Sequence, residues 1–267
     1  MKRLALILIL TLSVLPLRAQ DYAGLDSLMV QFFAALQTED TDAKNAEADF
    51  LIGTCTDSLT RQHVAVTVFD HYRESRLMGE ESVAIHVYDT WFATGLTSFR
   101  NDMDKADAEL FVNFNRASQL GMDAPQVRLR KPCGGRVTIP GKGHVSVLFF
   151  YDTSCAKCRL ETALLPQVMK QVDYKMNFYA VYCGSDRKSW REYRRAFDLG
   201  NDKIKVVHLW DPEMESGYQM EYGVYGTPRI YMVEPDGVII GRRLEIESLA
   251  QMIPVAGAIL SAWEKYK

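Results

Sequence analysis

The sequence predicts an α/β sandwich, a mixed central sheet flanked by helices, preceded by an all-α domain. Three observations predict it. Between Asp21 and Met122 there is no proline, and apolar residues recur at helical spacing. Beyond Gly121 short apolar runs alternate with helical stretches. The last two runs flank Glu234-Pro235-Asp236-Gly237, whose Asp-Gly pair marks an antiparallel hairpin.

The elements follow in order. Lys2 and Arg3 precede an apolar stretch from Leu4 to Leu17, and Ala19 offers a small residue for cleavage. This is the pattern of a secretory signal over residues 1–19. The stretch is shorter than the roughly 20 residues of a typical membrane span. The expectation is export to a periplasmic or other extracytoplasmic space, with a membrane anchor only if the signal stays uncleaved. A helical domain is expected over 20–120. Leu25, Leu28, Met29, Phe32, Phe33 and Leu36 mark a first helix. Asp57-Ser58 opens another through Tyr72, and Glu80 to Thr94 reads as a third. There Val83, Ile85 and Val87 also alternate as a strand would. Met103, Ala106, Leu110, Phe111 and Phe114 mark the last.

The second domain, 121–267, opens with the breaker cluster Gly121 to Pro125. Val127–Leu129 and Val137–Ile139 predict a hairpin around Pro132-Cys133-Gly134-Gly135. Val145–Tyr151 reads as a fully buried strand, followed by a helix from about Cys155 toward Gln171. Strand Met176–Tyr182, helix Asp186–Leu199, strand Lys205–Trp210 and a short helix Glu213–Tyr222 come next. Arg229–Val233 and Val238–Arg242 form the terminal hairpin. Ser248–Tyr266 closes the chain as a packed helix, not a membrane span.

The chain has 267 residues and a net charge of −3, which points to neither nucleic acid nor a basic membrane-binding surface. Five cysteines are an odd number, and a chain this long builds a core without staples. One close pair among scattered cysteines reads as a redox site in a compartment that tolerates disulfides.

That pair is Cys155-Ala156-Lys157-Cys158, placed where a buried strand ends and a helix begins. A helix N-terminus presents free N–H groups and a positive dipole end, and both stabilise a thiolate. Such motifs lower a thiol pKa from about 8.5 into the range of roughly 3.5 to 7.5. Cys155 is therefore the expected nucleophile and Cys158 the resolving thiol. Lys157 adds a positive charge that could tune them. Two other readings stand beside this one. A CxxC can be half of a zinc site, but no second cysteine pair or paired histidine motif completes four ligands. The pair could also be an inert disulfide, against which the strand-to-helix setting argues. No metal and no cofactor is expected.

Four pieces in order resemble the thioredoxin superfamily, and within it the exported TlpA/ResA-like branch. They are Gly121 to Pro125, the strand Val145–Tyr151 leading into Cys155-x-x-Cys158, Tyr222-Gly223-Val224-Tyr225-Gly226-Thr227-Pro228, and Glu234 to Gly237. The resemblance spans about 121–267. It implies a thioredoxin-like sandwich, Cys155 and Cys158 as a redox-active dithiol, and Thr227 with a cis Pro228 opposite them to guide a substrate backbone. It also implies that Glu161, three residues after Cys158, tunes thiol pKa or relays a proton. An exposed helix glutamate is the plain alternative. Departures are Ser154 where members usually have Trp, Ala-Lys between the cysteines, Phe149 where many thioredoxins bury an aspartate, and a late helix proline, Pro166. They leave the redox potential open within the family's roughly −270 to −120 mV.

The expected function is an exported thiol–disulfide oxidoreductase, reducing disulfides of protein substrates and recharged by an upstream redox partner. A different class is a binding or adaptor protein whose helical domain recognises a partner. A thiol peroxidase ranks below both, since Thr153 stands two before Cys155 with no suitably placed proline. Cys183 is expected buried and Cys133 exposed, and counting alone allows a Cys55–Cys133 bridge. His63 and His71 share a helix face without completing a metal site. Arg187 to Arg195 read as a solvated basic face.

Overall fold

A computed structural model describes residues 22–265, so the signal-like segment lies outside the described residues. The chain divides into two compact units, one ending at Val112 and the other beginning at Asn113.

The first unit is all-helical. It comprises α1 (Ala23–Leu36), α2 (Thr41–Thr54), α3 (Ser58–Glu74), α4 (Glu81–Val87) and most of α5 (Asp102–Asn115), with a π-helical turn over Tyr88–Phe92. Asp40 and Asp57 cap α2 and α3: their carboxylates accept from the N–H groups of Ala43 at 2.8 Å and Thr60 at 2.8 Å. Leu25, Met29 and Leu36 of α1 pack with Ile52, Phe69, Tyr72 and Val87 in one core. The alternation of Val83, Ile85 and Val87 is that of a helix buried on several sides, since all three and Ala84 are inaccessible. Helix α2 has no counterpart in the sequence reading, because its apolar residues crowd into one end, Phe50-Leu51-Ile52. Of the residues that mark α5 in the sequence, Phe111 packs against the core and Met103 and Leu110 point outward. Met103 is 78% exposed and Leu110 55%, while Ala108 and Val112 are buried.

Polar pairs tie these helices together. Asp49 of α2 accepts from Trp91 Nε1 at 2.7 Å and meets His86 Nε2 at 2.8 Å. His63 meets Asp26 at 2.6 Å and stacks on Tyr22, and His71 stacks on Phe33. These contacts account for the two histidines as packing and ion-pair residues.

The second unit is a seven-stranded mixed sheet in the order β2-β1-β5-β4-β3-β6-β7. The strands are β1 (Val127–Arg130), β2 (Arg136–Ile139), β3 (Val145–Tyr151), β4 (Met176–Tyr182), β5 (Ile204–Trp210), β6 (Arg229–Val233) and β7 (Ile239–Arg242). The central three are parallel, β3 with β4 and β4 with β5, while β6 joins β3 antiparallel. All seven residues of β3 are buried, as a continuous apolar run in a two-sided sheet requires. Val147, Phe149 and Tyr151 face one layer with α6 (Ala156–Met169), α7 (Arg187–Ala196) and α9 (Ile246–Lys265); Leu148 and Phe150 face the other with Tyr218 of the short α8 (Tyr218–Glu221) and Tyr222.

The segment Gly121 to Ala124 runs along the terminal hairpin, with the Ala124 N–H donating to Gly237 O at 2.8 Å. Gly237 adopts φ +111° in the turn, a conformation open to glycine. Ile246–Trp263 is long and apolar enough to cross a membrane by length and composition, yet it buries Ile246, Leu249, Ile253 and Ala256 in the core.

This fold is a thioredoxin-like sandwich behind an N-terminal all-helical region.

Candidate active site

Strand β3 ends at Tyr151 and the chain turns through Asp152-Thr153-Ser154 into α6. Asp152 Oδ1 accepts from the Ser154 N–H and hydroxyl, each at 2.7 Å, and so fixes the turn. The N-cap of α6 is Cys155, with extended backbone (φ −73°, ψ 121°). Its sulfur accepts from the Cys158 N–H at 3.1 Å, taking up one of the free N–H groups of the first turn. It also lies 3.3 Å from the carbonyl oxygen of Thr227, to which the thiol donates. The Thr227–Pro228 bond is cis. The two segments that the sequence separates by 72 residues thus meet at the sulfur.

The two thiols differ. Partial burial pushes Cys155 up, but hydrogen bonds from Cys158, the Thr227 side chain and the Lys157 N–H outweigh it and leave the thiol below its ordinary value. Cys158 is 1% exposed, and burial pushes its thiol up to about 12. The Asp152 N–H donates to its sulfur at 3.5 Å. A cleft of about 260 Å³ lined by Asp152, Cys158, Arg159, Thr162 and Tyr193 opens beside it.

Glu161 lies on α6 and is 4% exposed, so the reading of an exposed helix glutamate is corrected. Burial raises its carboxyl to about 7, with Lys157 pulling down and Glu245 and Glu247 pushing up. Its Oε2 is buried without a hydrogen-bond partner, and its Oε1 lies 3.8 Å from Lys157 Nζ. The Lys157 ammonium turns instead to Glu245, at 2.6–2.8 Å. Phe149 is fully buried and stacks on Tyr151, so the inaccessible acid of this region sits on α6, not on β3.

The remaining cysteines lie apart from this constellation. Cys55 is 2% exposed in the helical core, where its thiol donates to Leu51 O at 3.6 Å, and a bridge would require that packing to open. Cys133 is exposed on the hairpin turn. Cys183 is half-buried, and burial pushes its thiol up to about 12. All five are free thiols.

Four side chains at the site escaped sequence reasoning. Asp152 carries no signal beyond its place before the dithiol. Glu245 meets Lys157 across 88 residues, which no local pattern reports. Tyr225 and Arg229 flank Thr227-Pro228, and their position beside that dipeptide was the available clue.

Residues 136–247 match the family model described as a thioredoxin-like domain. The thiol:disulfide interchange protein DsbE of Allochromatium vinosum is 26% identical over 102 residues, which are 38% of this chain and 52% of that protein. The chain thus spans about half the length of this curated relative. A thioredoxin-like protein from Bacteroides caccae superposes with a TM-score of 0.68 over 95% of this chain and 93% of its own, at 11% identity. The thioredoxin domain of a thiol-disulfide oxidoreductase from Bacteroides vulgatus covers 51% of this chain and 96% of its own, at 20% identity and a TM-score of 0.45. Fold and site define the second unit as a thioredoxin-like redox domain with a CxxC-spaced cysteine pair, Cys155 and Cys158.

Proposed function

We propose that this protein is an exported thiol–disulfide oxidoreductase that reduces disulfides of protein clients. The observation that carries this reading is the asymmetry of the dithiol. Cys155, at the helix N-cap and partly exposed, holds a thiol below its ordinary value, while buried Cys158 is pushed to about 12.

The chemistry runs in two displacements. The Cys155 thiolate attacks one sulfur of the client disulfide, forming a Cys155–client bond and releasing the other client sulfur as a thiolate. The Cys158 thiol then loses its proton and attacks Cys155, releasing the second client sulfur and closing the Cys155–Cys158 disulfide. Two electrons have passed to the client, and an upstream dithiol restores the pair. Glu161 suits the proton step: a carboxyl at about 7 takes up a proton near neutral pH. Thr227 and Pro228 offer the edge along which a client backbone lies.

The TlpA/ResA-like resemblance supports the reducing direction. The signal-like residues 1–19 and likeness to a thiol:disulfide interchange protein support an extracytoplasmic location. Insulin reduction with dithiothreitol, comparing the mature chain with Cys155→Ser, tests the reading. The wild type is expected to precipitate insulin B chain and the variant to match the uncatalysed rate; equal rates overturn it.

A further inference from the structure

Next to Thr227-Pro228 two arginines share one aromatic ring. The Arg229 guanidinium carbon lies 4.8 Å from the centroid of the Tyr225 ring, and that of Arg243 lies 5.7 Å away. Arg243 Nη2 also donates to the Tyr225 hydroxyl at 2.8 Å. Phe114 meets the same ring edge-on at 5.7 Å, which fixes its plane. Tyr225 is 60% exposed, so this stack faces solvent.

Like charges gathered on one ring repel each other, and cation–π attraction offsets only part of that. A carboxylate nearby would complete the cluster, yet no acidic side chain pairs with Arg229 or Arg243 among the described residues. Other arginines of this unit are treated otherwise: Arg130 and Arg136 both meet Glu215. Glu245, close to Arg243 in sequence, is taken by Lys157. Nε of Arg229 and Nε of Arg243 are each buried without an acceptor. Arg243 further holds φ +51°, a left-handed backbone that non-glycine residues rarely adopt and that often marks a functional position.

We propose that Arg229 and Arg243, stacked on Tyr225 beside Thr227-Pro228, form a carboxylate subsite that selects client disulfides flanked by an acidic residue. This rests on the reading of the chain as a thiol–disulfide oxidoreductase. A guanidinium presents a planar fork that matches a carboxylate with two parallel hydrogen bonds. Arg229 follows Pro228 directly, and the Thr227 carbonyl lies 3.3 Å from the Cys155 sulfur. An extended client advances about 3.3 Å per residue, so the acid belongs within a few residues of the reacting half-cystine.

The test uses the mature chain, reduced, and three peptide disulfides that differ in one residue two positions from a half-cystine: Glu, Gln or Lys. The wild type is expected to favour Glu over Gln about tenfold in kcat/KM, as one charge-assisted contact predicts, with Lys poorest. Arg229→Gln and Arg243→Gln each lower the Glu-to-Gln ratio, and the double variant brings it to about one. Raising salt to 0.5 M does the same to the wild type without any substitution. Equal kcat/KM for Glu and Gln peptides in the wild type at low salt overturns the subsite. Glutathione disulfide reduced as fast as the Glu peptide overturns the polypeptide as its source of carboxylate. Failure to reduce any of the substrates defeats the oxidoreductase reading itself, and the subsite with it.

Discussion

Glu80 in the helical unit and Glu161 in the thioredoxin-like unit are buried alike, at 8% and 4% exposure, but their oxygens fare differently. Glu80 Oε1 lies 2.5 Å from Lys44 Nζ, and its Oε2 accepts from the Ser75 hydroxyl at 2.5 Å. Lys44 is itself 6% exposed and donates a second, longer bond to Gln37 O. Both oxygens are used and the charge is matched. Glu161 has one oxygen without a partner and the other 3.8 Å from an ammonium that Glu245 holds more closely. A closely paired buried charge fixes geometry, whereas a weakly paired one is left free to change protonation. The contrast suits the first glutamate to scaffold work and, under the proposed function, the second to proton work.

The sharpest way to break this division is to compare Cys155→Ser with Lys44→Met. The first is expected to remove insulin reduction by at least about a thousandfold, since a catalytic unit fails as a whole when its nucleophile is lost. Its urea unfolding should stay near that of the reduced wild type. The second should leave the dithiol reactive while destabilising the helical unit by about 3–5 kcal/mol, the cost of stranding one member of a buried pair. Hydrogen exchange in α2 and α4 would report it. Loss of thiol reactivity in Lys44→Met, with the fold intact, would end the division of labour.

Glu161→Gln comes next in size, and it works in the opposite direction. The carboxyl is raised from 4.5 to about 7 in the folded chain, so folding favours its neutral form. That stability is fully present below pH 4.5 and is lost as pH rises through 7. A shift of this size is worth about 2 kcal/mol after allowance for solvent reaching the group. The Gln variant, always neutral, is expected to unfold at higher urea than wild type at pH 8 and at nearly the same urea at pH 4. The second half of the dithiol cycle should also lose its rate step near pH 7 in single-turnover kinetics. A wild-type stability that rises from pH 5 to 8 would contradict the raised carboxyl.

Some of this was legible from residues and some was not, and the boundary has a physical cause. The buried strand Val145–Tyr151, the N-cap cysteine and the Asp-Gly hairpin are local signals, and each rests on neighbours in sequence. Thr227 and Pro228 came through the superfamily resemblance. Tertiary partners did not: Lys157 with Glu245, and Arg243 with Tyr225, join residues that no periodicity connects. Helix α2 was missed because Ala-Lys-Asn-Ala-Glu-Ala-Asp carries no apolar stripe, although Asp40 caps it. Met103 and Leu110 mark the last helix by their spacing, yet both point outward while Ala108 and Val112 are buried, a facing that spacing alone does not report.

The smallest effect concerns Lys157. Its ammonium is aimed at Glu245, and both side chains are more than half exposed, at 53% and 56%. An exposed pair is worth about 0–1 kcal/mol. The contribution of Lys157 to the Cys155 thiol comes through its backbone N–H, which any residue but proline supplies. Lys157→Gln is therefore expected to shift unfolding by less than about 1 kcal/mol. The pH dependence of Cys155 alkylation should stay in place, while Cys158, whose thiol burial pushes up, remains unreactive over the same range. Alkylation by iodoacetamide across pH 4 to 9 reads both thiols by mass. An upward move of a full unit in Cys155 on losing the ammonium would show that charge, and not the helix N-terminus, holds the thiolate. The comparison would then have to include Lys157 among the groups that do the chemistry.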